Sequence, residues 1–188
     1  MTLTKCASDA TKKIDCIEKL KHDVPLRHKQ CVSGLGHTRW ATCGGKTDEN
    51  AHPHTDMKER IALIHNGTLD HVEAMRKDLQ SKGITLKSET DTELIAQYIG
   101  LFLDEGCTLL DAVKRTLAEK IVGTWGLLVI HKDEPHKMVV SRNGSPILVG
   151  LHHEAIFVAS EVFFLDYKLL KKNFRELLLK STPQITSV

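Results

Sequence analysis

Four short polar blocks carry side chains able to act on a small polar molecule. They are His37-Thr38-Arg39-Trp40-Ala41-Thr42, Asn50-Ala51-His52-Pro53-His54, His65-Asn66-Gly67 and Ser88-Glu89-Thr90-Asp91-Thr92-Glu93. Arg39 offers a planar fork that matches a carboxylate through two parallel hydrogen bonds, and on a surface it would make an ordinary ion pair. Asn66-Gly67 follows the apolar run Ile61–His65. It can present an amide NH₂ and a backbone N–H to a developing oxyanion, or form a two-residue turn. Asp91 opens a helical pattern, where it can hold an ammonium or serve the helix dipole. Trp40 reads as a core residue or as a lid. His52-Pro53-His54 has HxH metal spacing, but no third and fourth ligand stands at zinc-site spacing, so no metal is expected.

These blocks need elements to position them. Ala10, Ile14, Ile17 and Leu20 fall on one face of a short helix over 9–22, which Pro25 should end. Residues 31–45 mix four glycines with Val32, Thr38, Trp40 and Thr42, and read as a strand running into a glycine-hinged loop. Ile61–His65 reads as a buried strand with a tight turn at Asn66-Gly67. Leu69, Val72, Met75, Arg76 and Leu79 follow a helical period, with Gly83 where a C′ glycine belongs. Thr90 stands three residues before Glu93, a capping-box spacing, and a helix continues to Phe102. Thr108 with Asp111 caps another, to about Lys120. Residues 123–131, 137–142, 146–151 and 155–160 read as four strands joined by short turns, which favours antiparallel pairing. Residues 161–180 read as helix, and the Lys-rich side as its wet face. His152-His153 reads as a solvated turn. Blocks of helices and blocks of strands point to an α+β fold with helices layered on sheet.

The 188 residues fit one domain. The 26 Lys and Arg against 24 Asp and Glu leave a charge of +2, too small to bind nucleic acid or an acidic membrane by bulk charge. Five scattered cysteines with no CxxC argue against a disulfide framework and for a reducing compartment. No apolar run approaches the ~20 residues of a membrane span, and the start has no signal-peptide core. A cytoplasmic protein is expected.

The strings GLGHTRWATCGGKTDENAHPH, IALIHNGTLD and SETDTELIAQYI together resemble one family, and the resemblance continues through SRNGSPILVG and FVAS. It is the glutaminase domain of the hexosamine-forming glutamine–fructose-6-phosphate aminotransferases, which are class II glutamine amidotransferases. The related amidophosphoribosyltransferases use Tyr where this chain has Trp40. The resemblance implies a four-layer αββα sandwich of the N-terminal nucleophile hydrolase type, incomplete at its N-terminal strands. It implies a similar core over residues 34–160, between a divergent N-terminal segment (1–33) and a divergent helical one (161–188). It implies no cofactor, glutamine as the ligand, a sugar-phosphate isomerase domain or full-length subunit as partner, and a homodimer. In the implied reaction a thiolate attacks the glutamine side-chain amide, ammonia leaves, and the thioester is hydrolysed to glutamate. Ammonia then feeds glucosamine 6-phosphate synthesis. By residue, the resemblance implies Arg39 on the α-carboxylate and Asp91 on the α-ammonium. Asn66 and Gly67 are implied as the oxyanion hole, Trp40 and Thr42 in a mobile loop, and His52 beside the pocket. The opposite charges of Arg39 and Asp91 suit a zwitterion.

The chain also departs from the family. It begins Met1-Thr2-Leu3, and the family's nucleophilic Cys-Gly-Ile occurs nowhere in it. Cys43 stands where the family usually has His. The expectation is a glutaminase domain that keeps glutamine recognition without its nucleophile. A non-catalytic glutamine-binding or regulatory module is the second reading, and a metal hydrolase using His37, His52 and His54 the third.

Overall fold

A computed structural model describes residues 1–8, 11, 15–41, 43–151 and 155–161, with the backbone alone of 175–178 and 184–187. Its elements are α1 (Cys16–Arg27), β1 (His54–Thr55), β2 (Ile61–Leu69), α2 (Val72–Ser81), α3 (Asp91–Asp104), α4 (Leu109–Glu119), β3 (Gly123–His131), β4 (Glu134–Asn143), β5 (Leu148–Leu151), β6 (Ile156–Ala159), β7 (Arg175–Leu178) and β8 (Gln184–Ser187). Five strands form one antiparallel sheet in the order β1-β2-β3-β4-β8, and three form another in the order β6-β5-β7.

Strand alternation explains the layering. Ile61, Leu63, Leu127, Val129 and Val139 point to one face of the larger sheet and pack with Leu94, Ile95, Ile99 and Val113 of α3 and α4. Leu128 and Val140 point to the other face and meet Ile147, Val149 and Val158 around the smaller sheet. The described residues therefore stack as helices, sheet and sheet. Helix α3 is buried almost all round, which fits its apolar run from Leu94 to Phe102. Its start is fixed by Thr90, whose Oγ1 accepts the Glu93 N–H at 3.3 Å. Its far end is tied to the start of β2 by Arg60, which bonds Asp56, Asp104 and the Gly100 carbonyl.

Several expectations are corrected. No strand forms in the described part of 31–45. Gly34 and Gly36 weaken strand formation there, Val32 is exposed, and the segment is held by side-chain bonds rather than a ladder. Asn66-Gly67 is not a turn: β2 runs through it, pairing Asn66 with Gly126 and Gly67 with Trp125. Gly67 instead takes φ +141 within the strand. Helix α1 carries Pro25 inside it and continues to Arg27, since only the last turn follows the proline. Arg175–Leu178, in the segment expected to be helical, is a strand beside β5, and Gln184–Ser187 beyond it is a strand beside β4. Backbone pairing with β5 and β4 outweighs the Leu/Lys helical pattern there. The rest of 162–180 and the His152-His153 turn lie outside the described residues.

Candidate functional site

The four polar blocks converge. A cavity of about 120 Å³ is bordered by His37, Arg39, Trp40 and Cys43 from the first, His52 from the second, His65, Asn66 and Gly67 from the third, and Thr90, Asp91 and Thr92 from the fourth. Strand β2 delivers His65 to Gly67, the N-terminus of α3 with its cap delivers Thr90, Asp91 and Thr92, and the irregular segment before β1 delivers the rest. Arg39, Trp40, His52, Asn66, Gly67 and Asp91 are thus together. Thr42, expected with them, lies outside the described residues.

Arg39 is tied into its own loop, with Nη1 donating to the Gly45 carbonyl at 2.9 Å and Nη2 to the Cys43 carbonyl. Trp40 is 88 % exposed, which excludes the core reading and leaves an indole standing at the rim of the cavity. Asp91 is buried beneath the cavity; its Oδ2 accepts the Leu69 N–H at 3.1 Å. Asn66 is exposed, and its Oδ1 lies 2.9 Å from His37 Nε2. That oxygen can only accept, so His37 Nε2 carries the proton and the remaining polar group of Asn66 is its NH₂ donor. An amide held in this sense suits stabilisation of negative charge.

A buried network underlies these groups, and sequence reasoning missed its hub. Thr92 Oγ1 lies 3.1 Å from His65 Nδ1, 3.3 Å from His52 Nε2 and 3.4 Å from Asp91 Oδ1. His65 Nε2 faces the Thr124 carbonyl at 3.2 Å, which only accepts, so that nitrogen is protonated and Nδ1 is the acceptor. His52 Nδ1 faces the backbone N–H of His65 at 3.5 Å, so its proton sits on Nε2, toward Thr92. His54 Nε2 bonds Thr90 Oγ1 at 3.1 Å. The Thr-rich wording of the 88–93 block was visible in the sequence, but no local spacing pairs it with histidines 27 and 40 residues away.

Burial keeps these imidazoles neutral. It lowers the pKa of His37, His52 and His65, and takes His54 down to about 3. For His65 the desolvation outweighs the attraction of Asp91, 4.0 Å away. The sign for stability follows: below the unfolded value of 6.5 the unfolded chain binds protons that the native rings refuse. Stability is therefore complete above about pH 6.5 and falls as the pH drops through that value, by about 2 kcal/mol at pH 5 from His54 alone. Urea midpoints are expected to fall markedly from pH 7.5 to pH 5. Equal midpoints would mean that the rings are hydrated in the native state.

A shared metal does not fit this arrangement. The His37 and His52 rings stack with centroids 4.2 Å apart, so their nitrogens lie in near-parallel planes rather than converging. His52 spends both nitrogens on hydrogen bonds. Among the described residues no group of three His, Cys, Asp or Glu side chains is arranged to hold an ion, and no helix is long and apolar enough to cross a membrane.

Comparison with known proteins identifies a family. Residues 37–166 match the glutamine amidotransferase domain family. A glutamine–fructose-6-phosphate aminotransferase (isomerizing) of Fusobacterium nucleatum is 41% identical over 151 residues, covering 80% of this chain and 24% of that protein. One from Aquifex aeolicus is 42% identical over 130 residues, covering 69% and 22%. The chain thus spans about a quarter of the length of the curated relatives it matches. Among solved structures, the glutamine phosphoribosylpyrophosphate amidotransferase of B. subtilis, complexed with ADP and GMP, superposes with a TM-score of 0.59 at 24% identity, over 80% of this chain and 33% of that one. An allosteric regulatory enzyme of purine biosynthesis gives 0.59 at 28% identity, over 76% and 30%. The antiparallel sheets layered under helices are accordingly those of the N-terminal nucleophile hydrolase sandwich, and the chain belongs to the glutamine amidotransferase domain family.

Proposed function

We propose that the cavity binds glutamine as a zwitterion. Arg39 faces the α-carboxylate, Asp91 the α-ammonium, and the Asn66 amide with the Gly67 N–H faces the side-chain carbonyl, where negative charge develops during amide hydrolysis. Trp40 and Thr42 belong to the loop that closes over the ligand, and His52 backs the pocket. One observation carries this reading: a guanidinium, a carboxylate and an amide from separate chain segments border a single small cavity.

Hydrolysis of glutamine to glutamate and ammonia requires a thiolate nucleophile, and these 188 residues hold no Cys-Gly-Ile. We assign the chain the recognition part of the reaction. The relatives are named glutamine–fructose-6-phosphate aminotransferase (isomerizing); by resemblance to that family we assign the ammonia to glucosamine 6-phosphate synthesis in the cytoplasm, by a sugar-phosphate isomerase domain, within a homodimer. Calorimetric titration with L-glutamine is expected to show one saturable site, with D-glutamine silent and glutamate release near background. Absence of saturable binding would overturn the reading. Rapid turnover would mean that a thiol of this chain, Cys43 first, is the nucleophile, and Cys43→Ala would abolish it.

A further inference from the structure

Arg39 depends on a loop that does not hold itself. Its guanidinium is anchored on three consecutive carbonyls, those of Cys43, Gly44 and Gly45. Two residues outside that turn, Asn50 and Glu89, brace its Gly45 end. Asn50 Nδ2 donates to the Gly45 carbonyl at 3.1 Å and to Glu89 Oε2 at 2.9 Å. The Gly45 N–H donates to the same Glu89 oxygen at 3.0 Å. Asn50 Oδ1 in turn accepts the Glu89 backbone N–H at 2.9 Å. The junction is tight: a Cβ on Gly44 would stand 2.8 Å from both Asn50 Nδ2 and Glu89 Cβ. Behind it, Arg76 donates to the carbonyls of Ser88, Glu89 and Thr90, which holds the Glu89 side of the junction to α2.

We infer that Asn50 and Glu89 form a latch that positions Arg39 for the α-carboxylate of the bound amino acid. This rests on the reading of Arg39 given above. Asn50 is 2 % exposed, so its amide is a fixed bracket, while Glu89 lies at the surface and closes the bracket over the loop. With Gly45 held at both its N–H and its carbonyl, the turn that anchors the guanidinium is preorganised, and Arg39 loses little freedom when a carboxylate arrives. Releasing the latch leaves the charge in place but unaimed. Neither residue touches ligand in this scheme; both are positioning residues.

The experiment is a double-mutant cycle on the 188-residue chain, with dissociation constants of L-glutamine and of L-glutaminamide, which lacks the α-carboxylate, read by ligand-observed NMR. Glu89→Ala is expected to weaken L-glutamine about five- to tenfold and to leave L-glutaminamide unchanged. In an Arg39→Ala background the effect of Glu89→Ala should vanish. Glu89→Gln keeps an acceptor for the Gly45 N–H and should recover most of the affinity. Equal weakening of both ligands, or an undiminished effect without Arg39, would reduce Glu89 to a structural residue and overturn the latch. If Arg39→Ala weakens glutamine but Glu89→Ala does not, the latch alone falls. If Arg39→Ala is without effect, the assignment of Arg39 falls and takes the latch with it.

Discussion

Asp91→Asn is expected to cost L-glutamine about 10²–10⁴-fold in affinity while leaving the fold intact. The substitution is nearly isosteric. An asparagine oxygen can still accept the Leu69 N–H, which Asp91 Oδ2 accepts at 3.1 Å, and its NH₂ can donate to Thr92 Oγ1, 3.4 Å from Oδ1. What disappears is the negative charge beneath the cavity. A ligand ammonium would then be desolvated with no counter-charge, and breaking a buried pair from one side costs about 3–5 kcal/mol. His65 cannot compensate, because its neutral ring already gives its only N–H to the Thr124 carbonyl. Calorimetry with L-glutamine reads the loss, and a urea titration checks that stability is retained. Glutaramic acid, which lacks the α-amine, should bind both proteins equally. Equal affinity of both proteins for L-glutamine would place the ammonium elsewhere.

The sequence made the ingredients of this site legible and left its wiring hidden. Residue type alone leaves Arg39, Asp91, Asn66 and Gly67 ambiguous, the resemblance singles them out, and they share one cavity. The elements with strong periodicity, α3, α4 and β3, were equally readable because apolar spacing and Thr caps agree there. Two kinds of feature were not readable. Asn50 and Glu89, or His65 and Thr92, meet across long stretches of chain, and local spacing carries no trace of such a meeting. Asn66-Gly67 misled, because the dipeptide that fits a hairpin also fits a strand at a point of close backbone approach. Trp40 was ambiguous for another reason. Its burial is decided by whether a sheet covers the loop, and the described part of 31–45 forms no strand to bring it under one.

That close approach makes Gly67→Ala the substitution with the largest expected effect on stability. A Cβ at Gly67 would lie 2.1 Å from the Thr124 carbonyl oxygen and 3.0 Å from His65 Nε2, at φ +141. The oxygen is backbone, and it cannot retreat cheaply. Thr124 sits in β3 in register with Thr68 of β2, and its carbonyl already accepts the His65 N–H. The contact is reciprocal, since a Cβ at Gly123 would lie 2.3 Å from the Thr68 carbonyl oxygen. Two glycines on neighbouring strands thus let the β2 and β3 backbones close at the point where Asn66 and Gly67 border the cavity. Alanine must either pry the strands apart, releasing His65 and the Thr92 network, or hold a strained φ against a clash. The expected loss is about 3–5 kcal/mol, a large part of a typical domain's stability. Gly83→Ala separates the two causes: its φ of +78 is also positive, but nothing lies within 4 Å, so strain alone should cost about 1 kcal/mol. Urea unfolding of the two variants measures the difference. If both lose the same small amount, the β2–β3 contact is soft, and Asn66 and Gly67 do not owe their placement to it.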